Sequence, residues 1–248
     1  MSNSSALFCD FNMALFDGRL LPRWMRNAVK RFAAAPGATR HSELFARFHW
    51  QARLAQMRRE SNPPVFPSRE QLYAHVNEVF FESGRTCMDF LEFGVFEGAS
   101  LRSWSSLNQN PETRLWGFDS FEGLPEDWHA GKGKGTFSTQ GKVPELGDPR
   151  VQYVVGWFQQ TLPQFLASFK PRDRLIIHND SDLYSSTLYC LTMMDASVRP
   201  GTILIFDDFY DSMHQFRALM DYAAAYLRRF RLIATTRSAG QAALEVTK

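Results

Sequence analysis

Short apolar segments alternate with helical stretches from residue 87 to the C-terminal end of the sequence. The predicted strands are 87–93, 114–118, 151–155, 174–178 and 202–206, and the predicted helices between them are 99–107, 160–169 and 184–197. A helix over 212–229 follows, and then two more strands, 231–236 and 241–246, separated by a turn. This alternation is typical of an α/β fold with a mostly parallel sheet, and the last two strands predict an antiparallel hairpin. We therefore expect a seven-stranded sheet that closes with this hairpin.

The first part of the chain has a different pattern. We expect a helical N-terminal extension over residues 1–65 and the α/β domain over 66–248. One amphipathic helix is predicted over 23–35, and its apolar face consists of Trp24, Met25, Ala28, Val29 and Phe32. This face would pack on the main domain or on a second copy of the chain, giving a homo-oligomer. The alternative is a helix that lies on a membrane surface or covers the substrate. A second helix is predicted over 42–59 and ends before an Asn-Pro-Pro segment.

Composition and charge narrow the classes of function. The net charge of +2 is too small for a general nucleic-acid surface, so we expect no nucleic-acid partner. The three cysteines are widely spaced, which argues against a disulfide framework or a zinc knuckle and fits a reducing compartment. The sequence has no signal-peptide pattern and no apolar run near the roughly 20 residues of a membrane span. We therefore expect a soluble cytoplasmic protein with no transmembrane segment.

A glycine motif, E-x-G-x-x-x-G, follows the first predicted strand of the domain. Glu92, Gly94 and Gly98 occupy its fixed positions, just before a predicted helix. Glycines there let a cofactor approach the backbone near a helix N-terminus, although glycines are also common in plain turns. The next strand ends at Asp119, from which a carboxylate can accept hydrogen bonds from two ribose hydroxyls. The alternative for Asp119 is a cap of the turn that begins at Ser120.

Four carboxylates follow two strands that are consecutive in the chain. Asp180 and Asp182 come after the strand at 174–178, and Asp207 and Asp208 come after the strand at 202–206. Consecutive parallel strands joined by one crossover usually lie side by side, so we expect the four acids to converge. Several anions at such a distance favour a bound cation, and oxygen ligands suit Mg²⁺, Ca²⁺ or Mn²⁺. The alternative is that Asp207 and Asp208 only cap the segment that follows them.

Three further features have two interpretations each. The glycine-rich segment 129–148 has no periodicity and is either a lid over a substrate or a flexible insertion. Trp157 and Phe158 follow the third strand and either stack on a bound adenine or belong to the core. His178 ends the fourth strand and is either a structural residue or a second candidate base.

Five segments together resemble the macrocin O-methyltransferase family. They are EFGVFEGASLRSW, GFDSFEGLPEDW, VVGWFQQTLP, HNDSDLYSSTL and FDDF, within residues 68–246. The resemblance implies a Rossmann-like class I methyltransferase fold, S-adenosylmethionine as cofactor and, often, Mg²⁺. It implies Asp182 as the general base. The implied metal ligands are Asp180, Asp207 and Asp208, and the implied cofactor-binding residues are Glu92, Gly94, Gly98, Asp119, Ser120, Trp157 and Phe158. The family usually has an apolar residue before the first metal-binding aspartate, where this chain has Asn179.

Three hypotheses of function follow from these residues. The first is an S-adenosylmethionine-dependent O-methyltransferase, assisted by Mg²⁺, that acts on a hydroxyl of a small metabolite, which can be glycosylated. The second is a metal-dependent glycosyltransferase, because residues 180–182 form the D-x-D pattern of that class. The third is a non-enzymatic protein that binds the cofactor or serves as a scaffold. The glycine motif and the C-terminal hairpin favour the first hypothesis over the second.

Overall fold

The structure is a computed structural model that describes residues 38–172, 174–237 and 239–248. The predicted helix over 23–35 lies outside the described residues, and so do the oligomer contacts expected from it. The chain divides into two compact units, residues 1–49 and 50–248. The second unit therefore includes residues 50–65, which the sequence analysis assigned to the extension. The fold described below is that of the second unit.

Helices and strands alternate along the described chain. The helices are α1 (Ala38–Ser61), α2 (Arg69–Phe80), α3 (Ala99–Leu107), α4 (Phe158–Ser168), α5 (Tyr184–Met194) and α6 (Gln215–Ala225). The strands are β1 (Val65–Phe66), β2 (Asp89–Phe93), β3 (Arg114–Asp119), β4 (Val151–Val155), β5 (Leu175–Asn179), β6 (Ile203–Phe206), β7 (Phe230–Thr236) and β8 (Ala242–Val246). Short 3₁₀ turns also occur at Glu82–Gly84 and Asp195–Ser197.

All of these strands form one sheet in the order β1-β7-β8-β6-β5-β2-β3-β4. β8 runs antiparallel to its neighbours β6 and β7, and the other neighbouring pairs are parallel. This arrangement confirms the predicted α/β fold with a mostly parallel sheet and a C-terminal hairpin. The two-residue strand β1 was not predicted, because so short a segment carries no periodicity.

The strand order reverses beside β2. The chain runs from β2 outward through β3 to β4 and then returns with β5 on the other side of β2. Open α/β sheets bind ligands in the crevice at such a reversal, outside the carboxyl ends of the strands. The glycine motif follows β2 and the first two aspartates follow β5, so both lie at this crevice.

The centre of the sheet is buried on both faces, as expected when helices cover a parallel sheet. All five residues of β2 are buried; Leu91 and Phe93 belong to one core cluster, whereas Phe90 belongs to the other. The helix α2 begins where its sequence predicts, because the Ser68 side chain accepts a hydrogen bond from the Gln71 amide at 3.4 Å. That contact is one half of a capping box, whose sequence pattern is Ser68-Arg69-Glu70-Gln71.

The last predicted helix, over 212–229, is too long at both ends. Local contacts replace its first turn: the Asp211 side chain accepts a hydrogen bond from the Met213 amide at 3.1 Å, and His214 has non-helical dihedral angles. At the other end Leu227 has a φ of 55°, which is outside the helical region. The helical periodicity of the sequence reveals neither the polar turn at the first end nor the left-handed residue at the second.

Asn179, the last residue of β5, is a buried amide without a partner among the described residues. Its side chain is fully buried, and neither its oxygen nor its nitrogen accepts or donates a hydrogen bond. Its neighbours in the sheet register are Phe93 and Phe206. Burying an amide without compensation costs about 1–3 kcal/mol.

We therefore expect Asn179→Leu to raise the free energy of unfolding by about 1–3 kcal/mol, measured by urea denaturation. Asn108→Leu is the matched control, because Asn108 is equally buried but donates to the Thr86 carbonyl at 3.0 Å and accepts from the Thr113 hydroxyl at 2.9 Å. That control should destabilise the protein. A loss of stability in Asn179→Leu as well would show that this amide has a partner in solution.

Candidate functional site

The turn after β2 requires glycine at its first position. Gly94 has a φ of 95°, and a Cβ atom there would lie 2.0 Å from the Asp180 carbonyl oxygen. Only glycine combines this backbone conformation with so close an approach. Gly98 precedes the first residue of α3 with a φ of 75°, and a Cβ there would lie 3.2 Å from the Pro144 side chain. The motif thus places the end of β2 directly against the end of β5.

Asp119 organises this turn from the end of β3. One carboxylate oxygen accepts hydrogen bonds from the Val95 and Phe96 amides at 2.8 and 2.9 Å. The other oxygen accepts a hydrogen bond from the Phe121 amide at 2.7 Å. The capping alternative is therefore present in the structure. A carboxylate has about four acceptor sites, so the predicted ribose contact remains compatible with these three bonds and stays a prediction.

Carboxylates from β5 and β6 meet at the same edge of the sheet. The two strands are adjacent and parallel, with Asn179 opposite Phe206, as the sequence predicts. Carboxylate oxygens of Asp180, Asp182 and Asp208 lie within 4.8 Å of one another. Asp182 is 8% exposed and has a φ of 57°. We call these three residues the acid cluster.

Asp207 is the fourth predicted acid, and its oxygens have other partners. Oδ1 accepts a hydrogen bond from the Gln241 side-chain amide at 3.0 Å. Oδ2 lies 3.5 Å from Nη1 of Arg69. The three carboxylates that the structure groups are therefore Asp180, Asp182 and Asp208, whereas the resemblance implied Asp180, Asp207 and Asp208 as metal ligands.

Crowding of like charges changes the protonation of the acid cluster. Burial raises the pKa of Asp180 well above its usual value, and Asp207 and Asp182 add to the effect. Burial, followed by the charge of Asp208, raises the pKa of Asp182 to about 8. Burial and then Asp207 raise the pKa of Asp208 to about 6. In the absence of a cation, burial and mutual repulsion therefore disfavour the charged form of each carboxylate, as expected of anions gathered at one point.

One cavity of about 460 Å³ joins the glycine turn to the acid cluster. Its lining includes Gly94, Asp119, Ser120, Trp157, Phe158, Asp180, Asp182, Asp207 and Asp208. Most of the predicted site residues therefore share one space, whose size is that of a small-molecule site. Two predicted cofactor residues, Glu92 and Gly98, do not line it.

Glu92 is instead part of a buried polar chain. Its Oε1 lies 2.9 Å from Nδ1 of His178, and Nε2 of His178 lies 3.3 Å from the Tyr73 hydroxyl. Glu92 and His178 are almost fully buried, and Oε2 of Glu92 has no partner among the described residues. His178 does not line the cavity. These contacts favour the structural interpretation of His178 over its alternative role as the base.

The family can be decided by comparison with known proteins. The model of the macrocin-O-methyltransferase (TylF) family matches residues 70–229, well over half of the chain. The chain belongs to the macrocin O-methyltransferase family. The resemblance seen in the sequence is therefore confirmed, and the matched region contains both the glycine turn and the acid cluster.

Curated relatives of this family member are methyltransferases from actinomycetes. A demethyldecarbamoylnovobiocin O-methyltransferase of Streptomyces niveus is 30% identical over 162 residues, 54% of this chain and 60% of that protein. An 8-demethyl-8-(2,3-dimethoxy-alpha-L-rhamnosyl)-tetracenomycin-C 4'-O-methyltransferase of Streptomyces olivaceus is 31% identical over 159 residues, 52% of this chain and 58% of that protein. The matched part spans about three fifths of the length of each relative.

Solved structures agree with the fold. The O-methyltransferase NovP has a TM-score of 0.57 and 26% identity, over 73% of this chain and 80% of that chain. The calicheamicin methyltransferase CalS11 has a TM-score of 0.51 and 22% identity, over 89% of this chain and 90% of that chain, and supports the fold alone. No helix in the described residues has the length and apolar character to cross a membrane.

In this family member the segment after β3 covers part of the cavity. Trp128, His129, Lys132 and Phe137 line it, and the Trp128 indole donates a hydrogen bond to the Asp211 carboxylate at 3.1 Å. Nζ of Lys132 lies 4.4 Å from the centroid of the Phe137 ring. The segment 129–148 contains the last three of these residues, and this position agrees with the predicted lid.

The two aromatic residues after β4 line the cavity, and their predicted contact with an adenine stays a prediction. Trp157 and Phe158 line the cavity, and the Phe158 ring also packs edge-on against Phe93 with centroids 5.6 Å apart. Arg69 and Tyr210 are among the cavity residues that sequence reasoning missed. Arg69 begins α2 and Tyr210 follows the aspartates after β6, so only the folded chain shows that they belong to the site.

Proposed function

We propose that this chain is an S-adenosylmethionine-dependent O-methyltransferase whose acceptor is a hydroxyl of a small, glycosylated metabolite. One observation carries the proposal. The glycine turn after β2 and the acid cluster after β5 and β6 open into the same cavity at the reversal of strand order. The turn is suited to a nucleoside cofactor, and the cluster is suited to the activation of a hydroxyl.

The residues present fit the cofactor. Ser120 and Asp119 line the cavity at the end of β3, where a ribose would lie beside the acid, and Trp157 and Phe158 offer aromatic surface for an adenine. Glu92 does not line the cavity, so its predicted contact with the cofactor stays a prediction. S-adenosylmethionine supplies an electrophilic methyl group, so the protein has to position and activate the nucleophile.

The acid cluster fits a hard divalent cation, and we propose Mg²⁺ as that ion. Carboxylate oxygens are the ligands that Mg²⁺ prefers, and a cation would offset the burial and the repulsion that raise the pKa of each member. Asp180 and Asp208 are the ligands on which the geometry and the resemblance agree. When bound, the cation would lower the pKa of an acceptor hydroxyl.

Asp182 is the proposed general base. It is nearly buried, lines the cavity and lies in the acid cluster, so it can accept the proton of a hydroxyl that enters beside the cluster. A general base works best when its pKa lies near the working pH. Burial raises the pKa of Asp182 to about 8, which brings it into that range. The neighbouring Lys132 lines the same part of the cavity and opposes the rise in this pKa.

A sugar-bearing acceptor is supported by the relatives and by the cavity wall. The curated name of the tetracenomycin relative contains a rhamnosyl group, and its matched part includes half of this chain. The segment after β3 contributes Trp128 and Phe137, and Tyr210, 46% exposed, lines the same cavity. Flat aromatic surfaces beside polar acids suit a ring with one apolar face and several hydroxyls.

Calorimetry with two nucleotides tests the class of enzyme. We expect S-adenosylhomocysteine, the demethylated cofactor product, to bind with a measurable Kd, and uridine diphosphate not to bind in the presence of Mn²⁺. Binding of uridine diphosphate alone would instead support a glycosyltransferase that uses the D-x-D residues Asp180 and Asp182. A protein that binds S-adenosylhomocysteine but methylates no hydroxylated acceptor would support a non-enzymatic role.

A further inference from the structure

Arg69 is a cationic residue of the cavity that the proposed reaction does not use. It is the first residue of α2 and is 34% exposed in its side chain. Its guanidinium contacts two acids, Asp207 at 3.5 Å and Glu70 at 3.4 Å. A guanidinium has five N–H donors in a planar fork, so two such contacts leave donors for a ligand in the cavity.

Arg69 reaches the strand ends that meet the glycine turn through its contact with Asp207. The Asp207 amide donates to the Asn179 carbonyl at 3.1 Å, and the Asp180 amide donates to the Phe93 carbonyl at 2.9 Å, just before Gly94.

Tyr73 lies one helical turn after Arg69 on the same face of α2. The Tyr73 hydroxyl contacts His178, which contacts Glu92, the residue that precedes the glycine turn by two positions. The helix α2 is therefore linked through Tyr73 and His178 to the strand that enters the glycine turn, while Arg69 lines the cavity beside Asp207.

Lys132 is another cationic side chain of the lining, and it lies beside Phe137 and Asp182. Its ammonium group rests over Phe137, and its charge acts on Asp182. Among the described lining residues, Arg69 is thus the permanent cation that contacts Asp207, at the strand ends beside the glycine turn. The N-terminal end of α2, a helix of 12 residues, adds a partial positive charge at the same place.

We propose that Arg69 binds the carboxylate at the amino-acid end of the cofactor. This inference rests on the proposed function, because it requires a cofactor with that carboxylate. The planar guanidinium matches a carboxylate in a two-point contact, and the contact with Asp207 at 3.5 Å helps to hold the Arg69 side chain in place. The contact adds to cofactor affinity at a residue that lies outside both the glycine turn and the acid cluster.

Two ligands, one with and one without the amino-acid end, show whether Arg69 recognises the carboxylate or only supports the shape of the cavity. S-adenosylhomocysteine has the carboxylate, whereas 5′-methylthioadenosine has the same nucleoside without it. We expect Arg69→Met to weaken the binding of S-adenosylhomocysteine by about 10–100-fold, because it removes a charge-assisted contact. The affinity for 5′-methylthioadenosine should change by less than about twofold. Arg69→Lys keeps the charge but not the fork, so its loss should be intermediate.

Arg85→Met is the matched control, because Arg85 is an exposed arginine that does not line the cavity. Thermal melting of all variants reports whether they fold. Equal affinity of wild type and Arg69→Met for S-adenosylhomocysteine would overturn the inference and leave the proposed function intact. An equal loss for both ligands would also overturn it, because the carboxylate would not be the group that is recognised. A wild-type protein that binds neither ligand would refute the proposed function itself, and the inference with it.

Discussion

Replacement of Asp182 by asparagine is expected to lower kcat by about 10²–10⁴-fold, the usual contribution of a general base. Asparagine has nearly the shape of aspartate but does not accept a proton. It also tolerates the left-handed backbone at this position, where φ is 57°. The fold and the binding of S-adenosylhomocysteine should therefore survive, and the loss should appear in kcat, measured as formation of S-adenosylhomocysteine with an accepted glycosylated substrate.

Asp221→Asn is a matched control for this substitution. Asp221 lies on α6, accepts a hydrogen bond from the Tyr184 hydroxyl at 2.9 Å and does not line the cavity. Its replacement should leave kcat within about twofold of wild type, as for surface changes away from a site. If Asp182→Asn were as active as Asp221→Asn, the base would be another residue of the cavity. His178 would be a poor substitute, because it is buried against Tyr73 and Glu92.

Much of the fold could be predicted because its signals are local. Buried strands such as β2 are short apolar runs, and a residue such as Ser68 caps a helix through a hydrogen bond three positions away. The approach of Asp180 to Asp208 was also predictable, since one crossover joins their strands and such strands lie side by side. The sequence order alone therefore leads to the acid cluster.

The partners of individual carboxylates could not be predicted, because they come from distant segments. Asp207 contacts Gln241 from the C-terminal hairpin and Arg69 from α2. Likewise, Asp119 accepts hydrogen bonds from the Val95 and Phe96 amides of the glycine turn, so one carboxylate both holds the turn and lines the cavity. A linear motif indicates that an acid is at the site, but the folded chain decides which of its oxygens are engaged.

The proposed role of the cation can be tested by removing it. Chelation is expected to abolish methyl transfer and added Mg²⁺ to restore it, because the proposed cation lowers the pKa of the acceptor hydroxyl. Binding of S-adenosylhomocysteine should persist in the chelator, since the glycine turn is held by Asp119 and backbone contacts. Full activity in the chelator would exclude the metal from the mechanism while leaving the cofactor assignment in place.

Direct titration with Mn²⁺ distinguishes the ligands without relying on activity. Asp208→Asn should lower the affinity for Mn²⁺ by more than about 10-fold, since the loss of even a supporting contact of a metal site lowers metal affinity by about that much. Asp207→Asn should weaken it less, because Gln241 and Arg69 already engage both Asp207 oxygens. Asp221→Asn again serves as the control. Equal losses for Asp207→Asn and Asp208→Asn would mean that the cation draws Asp207 away from these partners, which would restore the ligand set implied by the family resemblance.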